Sequence, residues 1–249
     1  MEMTPALIWC THRCKFCWRP LEYTIYGEPK ADSAEEIVKG CLEARRLLLY
    51  GFKGNPNVDK RKFEEALIPT STAISLAGEP TLYPHISDLL EELSKRRMET
   101  FLVTNGTRPD RLKSLGREPT NLYISLTAPD KKTYFSLSKP FMKDGWEKIK
   151  NSLDLMKSFN CRKIIRLTLV KGLNMTNIER YANLILRVDP DYIEPKGYMN
   201  VGESRKRLSR EHMPDDEDIM NFAKKMSDLT SYFIKDYSSE SRVALLAKK

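Results

Sequence analysis

Two spacings of apolar residues alternate along this chain. Short apolar runs suited to strands are followed by longer stretches with apolar residues three and four apart, as a helix requires. Ala6-Leu7-Ile8-Trp9 reads as a first strand that leads directly into a cysteine-rich loop. Ser33, with Glu36 three residues on, forms a capping box that predicts a helix from about Ala34 to Leu49. Its Ile37, Val38, Cys41, Leu42 and Arg45 share one face, so Cys41 reads as a core thiol. Strands are expected at 73–77, 100–103, 122–126, 163–169 and 192–196, with helices at 85–96, 109–115, from 131, at 143–158 and at 176–187. The tail predicts a helix near 215–229 and a strand pair, 232–235 and 242–246.

Regular strand–helix alternation implies parallel pairing through helical crossovers. Six repeats predict an α/β fold, an open (β/α)6 sheet forming a partial barrel over residues 1–200, with residues 201–249 as a C-terminal extension packed on it. Functional residues in such sheets sit where strands end. The polar signatures fall there: the cysteine loop, Gly78-Glu79, Thr104-Asn105 and Ser125.

Composition adds a bias toward polyanions. Forty-two Lys and Arg against 34 Asp and Glu leave a net charge of +8, which favours nucleic acid as a partner. No apolar run reaches the ~20 residues of a membrane span, and the start has no secretory leader pattern. The expectation is a cytoplasmic protein with no membrane partner. Five cysteines, three of them within eight residues, fit a metal site better than a disulfide framework.

Those three form the spacing C-x3-C-x2-C at Cys10, Cys14 and Cys17. Three thiolates can hold three irons of a [4Fe–4S] cubane and leave the fourth iron open for a small chelating ligand. The alternative is zinc, which normally takes four ligands; His12 inside the loop is the available fourth. A zinc-binding RNA adaptor without catalysis therefore stays open at this point.

The loop, with Phe16 before its last cysteine and Gly78-Glu79-Pro80 at a strand end, resembles the radical S-adenosylmethionine (SAM) superfamily. The resemblance implies one [4Fe–4S] cluster on Cys10, Cys14 and Cys17, with SAM contacted by Phe16, Gly78, Glu79, Thr104, Asn105 and Ser125. It implies reductive cleavage of SAM to a 5′-deoxyadenosyl radical that abstracts hydrogen from a substrate carbon. Further segments, among them Cys14-Lys-Phe-Cys-Trp-Arg19, Val103-Thr-Asn-Gly-Thr107, Arg166-Leu-Thr-Leu-Val-Lys-Gly172 and Val201-Gly-Glu-Ser-Arg-Lys-Arg-Leu208, are similar to the tRNA 4-demethylwyosine synthases of wybutosine biosynthesis.

That family acts on N1-methylguanosine beside the anticodon of tRNA(Phe), adding two carbons from pyruvate, so tRNA(Phe), pyruvate and an electron donor are the implied partners. Arg205, Lys206, Arg207 and Arg210, and a second run of cations between Lys95 and Arg117, are candidates for the phosphate contacts that RNA binding needs. Lys171 and Lys196, at strand ends, are the candidate catalytic residues, expected to face the site. The family also carries a second [4Fe–4S] cluster on three cysteines N-terminal to the SAM loop, with a lysine that meets pyruvate. Only nine residues precede Cys10, and none is cysteine, so the expectation is a shortened chain, with a one-cluster variant as the alternative. A radical SAM enzyme acting on another small molecule or a protein is the remaining reading.

Overall fold

The computed structural model describes residues 1–248. Eight strands form one sheet: β1 (Glu2–Met3), β2 (Ser71–Ile74), β3 (Glu99–Thr104), β4 (Asn121–Ser125), β5 (Arg162–Leu169), β6 (Tyr192–Gly197), β7 (Tyr232–Ser238) and β8 (Val243–Lys248). Their order is β1-β2-β3-β4-β5-β6-β8-β7. The first six are parallel, and the terminal hairpin joins β6 in antiparallel register through β8.

The helices are α1 (Ala34–Tyr50), α2 (Lys60–Leu67), α3 (Ile86–Lys95), α4 (Pro109–Lys113), α5 (Lys131–Ser138), α6 (Gly145–Met156), α7 (Ile178–Val188) and α8 (Asp216–Leu229). The expected capping box opens α1, with Glu36 accepting from the Ser33 backbone and Ser33 from the Glu36 backbone. Alternate strand residues, such as Thr100 and Leu102 of β3, are buried, while their neighbours are only half-buried. The core joins β2–β6 to α3, α6, α7 and α8 through Leu102, Leu122, Ile165, Ile193, Leu90, Leu153, Ile185 and Ile219.

Two elements differ from expectation. The first strand is Glu2–Met3, paired to Ala73 and Ile74, whereas 6–9 make a turn with one bridge, Trp9 to Ile25. The carbonyls of 7–9 are taken by more distant partners: the Arg19 guanidinium, the Ile25 amide and the Glu79 amide. Helix α2 is not expected from the sequence. Asp59 caps its start, and Phe63, Ala66 and Leu67, three and four apart, make a half-buried apolar stripe that is only eight residues long and so easily passed over in the sequence. Among the described residues no helix is long and apolar enough to cross a membrane.

Candidate active site

The strand ends open on a cavity of about 410 Å³. Cys10, Cys14, Cys17 and Phe16 line one side, Gly78, Glu79, Thr104, Asn105 and Ser125 the next, and Arg166, Thr168 and Lys196 the far wall. Nine cofactor and metal positions expected from sequence thus share one space. Register accounts for the far wall, because Ser125 pairs with Arg166 and Thr168 with Lys196 across adjacent parallel strands.

The cysteine loop is fixed from both sides. Cys10 N–H donates to the Ile25 carbonyl at 3.0 Å, and Phe141 N–H to the Thr11 carbonyl at 3.0 Å. Arg13 N–H and Lys15 N–H donate to Ser138 and Leu137 at the end of α5, at 3.0 and 2.9 Å. The Asn105 amide donates to Thr11 Oγ1 at 2.8 Å and approaches Cys10 Sγ at 3.9 Å. Phe16 anchors the loop in a small apolar cluster with Leu137, Val170, Tyr198 and Leu208.

Glu79 is buried and fully used by its own chain. Its Oε1 accepts from the Thr81 amide (3.1 Å), the Thr81 hydroxyl (2.6 Å) and the Thr104 hydroxyl (2.5 Å), and its Oε2 from the Asn105 amide (2.7 Å). Burial still pushes its carboxyl above the usual range, against those four donors. The carboxylate therefore ties the ends of β2 and β3 together, leaving backbone at Ala77 and Gly78 in the cavity wall. Gly78 has φ +73°, and a Cβ there would stand 1.7 Å from the Ala6 carbonyl oxygen. Only glycine allows that approach.

The three thiols fit a multi-iron cluster. Burial pushes the Cys10 thiol up to about 12, with the Glu79 charge adding to it, and burial also raises Cys14 well above the ordinary thiol range. Both are neutral thiols until a metal displaces their protons. The three thiols line one cavity of about 410 Å³, and their sulfur-only donor set is the one that iron–sulfur clusters take. His12 is buried with its Nε2 2.7 Å from the Tyr134 hydroxyl. Burial lowers its pKa to about 3, so it is a neutral wall residue already engaged by Tyr134, which disfavours the zinc reading.

Two arginines have roles that the sequence did not show. Arg19 is 6 % exposed and lines the cavity. It gives one hydrogen bond to the Leu7 carbonyl, its Nε has no partner, and no carboxylate pairs with it among the described residues. Arg207, expected to touch RNA, instead donates to the carbonyls of Lys15 (3.1 Å), Cys17 and Arg19 (3.3 Å), clasping the cysteine loop from 190 residues away. Neither role has a local sequence signal, because the partners are distant backbone carbonyls.

The remaining cations separate. Lys196 lines the cavity without an ion pair among the described residues. Lys171 stands outside it, exposed and paired to Asp218 at 2.6 Å, so it does not face the site as expected. Lys206 pairs with Glu203 at 2.6 Å, Arg205 donates to the Asn200 carbonyl, and Arg210 is exposed. Of the 95–117 run, Lys95 and Arg96 share Glu92, and Arg108 binds Asp110 and Glu28.

The profile described as "Radical SAM superfamily" matches residues 6–185, and that described as "Wyosine base formation" matches residues 187–248. The S-adenosyl-L-methionine-dependent tRNA 4-demethylwyosine synthase of Pyrococcus abyssi is 50% identical over 254 residues, covering 100% of this chain and 74% of that protein. The chain belongs to the tRNA 4-demethylwyosine synthase family. The synthase of Methanocaldococcus jannaschii is 40% identical over 99% of this chain and 80% of its own length. A solved structure described as TYW1 with a lysine-pyruvate adduct bound superposes with a TM-score of 0.89 at 39% identity, over 99% of this chain and 79% of that one. As a radical SAM family member, this 4-demethylwyosine synthase relative is of the class that uses a [4Fe–4S] cluster and SAM.

Proposed function

We propose that this protein converts N1-methylguanosine beside the anticodon of tRNA(Phe) to 4-demethylwyosine with carbon from pyruvate. The observation that carries the reading is the convergence of Cys10, Cys14 and Cys17 with the strand-end residues on one cavity, in a chain half identical to a named synthase. Cys10, Cys14 and Cys17 would hold the cluster, which with SAM would supply the reductive radical chemistry for removing hydrogen from the substrate's methyl carbon.

The chain's own residues bind and orient. Backbone carbonyls beside Gly78 receive the ammonium of SAM, an interaction strengthened by charge. Ser125 and Thr168 offer hydroxyls on the concave face. Arg19 and Lys196 supply positive charge for carboxylate ends, that of SAM's methionine portion and that of pyruvate. Thr104 and Asn105 act through Glu79 and Thr11, holding the wall in place. Arg205 and Arg210 are the members of the basic run available for RNA phosphates. Cys41 packs against the core from α1 and Cys161 lies just before β5, so the family's second cluster requires cysteines other than these five.

The test is anaerobic reconstitution followed by reduction with dithionite. The expected result is about four irons per chain, 5′-deoxyadenosine from SAM, and conversion of methylguanosine-containing tRNA in the presence of pyruvate. One bound zinc, or no 5′-deoxyadenosine, would overturn the proposal.

A further inference from the structure

The cysteine loop has two chemically distinct faces. Residues 12–15 run antiparallel to 137–140, bonded through Arg13, Lys15 and a bridge from His12 to Pro140. Side chains alternate along an extended segment. His12, Cys14 and Phe16 therefore face the cavity of the active site, while Arg13 and Lys15 face away.

On that outer face lies a second cavity of about 290 Å³, lined by Arg13, Lys15, Lys139, Arg207, Leu21 and Glu22. Four cations oppose one acid. Among the described residues none of the four cations is in an ion pair, although ion pairs are common elsewhere on this surface. Arg207 is held by loop carbonyls; Arg13 and Lys139 are exposed. Lys139 is fixed in the left-handed region at φ 43° where α5 ends, which sets its side chain beside the loop. Two residues further on, Phe141 stacks with Tyr26 at 5.7 Å, and both rings are exposed. A cationic pocket beside a small aromatic patch is the make-up of a weak, charge-steered protein interface.

Position decides the occupant. Opening a sulfonium to a thioether and a carbon radical takes up one electron, so an electron must reach the thiol-held group while SAM and the tRNA base fill the main cavity. The outer face of the loop is separated from Cys14 by a single main-chain strand, and its cavity shares no lining residue with the main one. We propose, resting on the function above, that Arg13, Lys15 and Lys139 form the docking surface for an acidic one-electron carrier protein. The carrier is oxidised by one electron, and the cluster held by the three thiols is reduced by one.

The test compares the native holoprotein with the triple charge reversal Arg13→Glu, Lys15→Glu and Lys139→Glu. A reduced flavodoxin serves as carrier in one arm and dithionite in the other. In the carrier arm, the rate of cluster reduction, followed by bleaching, should fall by about ten- to a thousandfold at low salt, with the difference shrinking as salt rises. Flavodoxin binding measured by calorimetry should weaken in parallel. Dithionite-driven 5′-deoxyadenosine formation and tRNA affinity should stay at native levels. Unchanged carrier-driven reduction with normal dithionite activity would overturn the docking surface alone. So would a selective loss of tRNA affinity, which would make the pocket an RNA contact. No 5′-deoxyadenosine from the native protein with dithionite would overturn the proposed function, and the docking surface with it.

Discussion

Replacing Gly78 with alanine should destabilise the protein by about 2–5 kcal/mol. The left-handed backbone at φ +73° costs a residue with a Cβ about 1–2 kcal/mol. The added methyl would also stand 1.7 Å from the Ala6 carbonyl oxygen and 2.8 Å from that of Trp9. Both are backbone atoms, so the main chain itself must separate. That movement draws the Glu79 amide off the Trp9 carbonyl, now bonded at 2.9 Å, and a buried donor left unpaired costs about 1–3 kcal/mol more. The total is a large share of the roughly 5–15 kcal/mol that holds a domain folded. Urea denaturation followed by circular dichroism measures it. Gly40→Ala is the control: Gly40 lies inside α1, a methyl there would meet nothing within 4 Å, and alanine should stabilise by about 0.5–1 kcal/mol. A Gly78→Ala protein as stable as the native one would refute the reasoning, since it would mean that the turn before Glu79 does not depend on close backbone contact.

Glu79→Gln aims an amide at four groups that all donate; a fall in stability of about 1–3 kcal/mol is expected in a thermal melt, and an unchanged melt would contradict the bonding described. Cys14→Ala should abolish stable iron loading on reconstitution, while Cys41→Ala and Cys161→Ala retain it, as read by iron content. Lys171→Ala should leave SAM cleavage intact and cost less than about 1 kcal/mol, because its pairing to Asp218 is a solvent-exposed one. Arg19→Met should weaken SAM binding in an equilibrium titration by removing the buried cation of the cavity, and Arg19→Lys should restore part of it; equal affinities across the three would remove Arg19 from the site.

What the sequence made legible follows from the range of the interactions. Ser33 and Glu36 cap α1 from three residues apart, and the apolar runs at β3 to β6 are bounded by turn residues, so both could be read locally. The three cysteines, Gly78 and Asn105 were placed because sheets of this kind gather their strand ends at one rim. Ala6-Leu7-Ile8-Trp9 misled because its apolar character suits a strand, yet its carbonyls serve Arg19, Ile25 and Glu79, partners that no local rule connects to it. Arg207 misled for the same reason. As part of a basic run it reads as an RNA contact, and only the fold brings it onto the carbonyls of the cysteine loop. Lys171 and Lys196 look alike in sequence, each near a strand end, but the sheet directs one to Asp218 at the surface and the other into the cavity.

The sheet ends in two different strands, β1 at one margin and β7 at the other, so it is a trough and not a closed tube. A closed ring of strands has a width set by their number. A trough accepts one unit from the middle of a long polymer while the chain on either side of that unit continues past the rim, and neither end of the polymer has to be threaded.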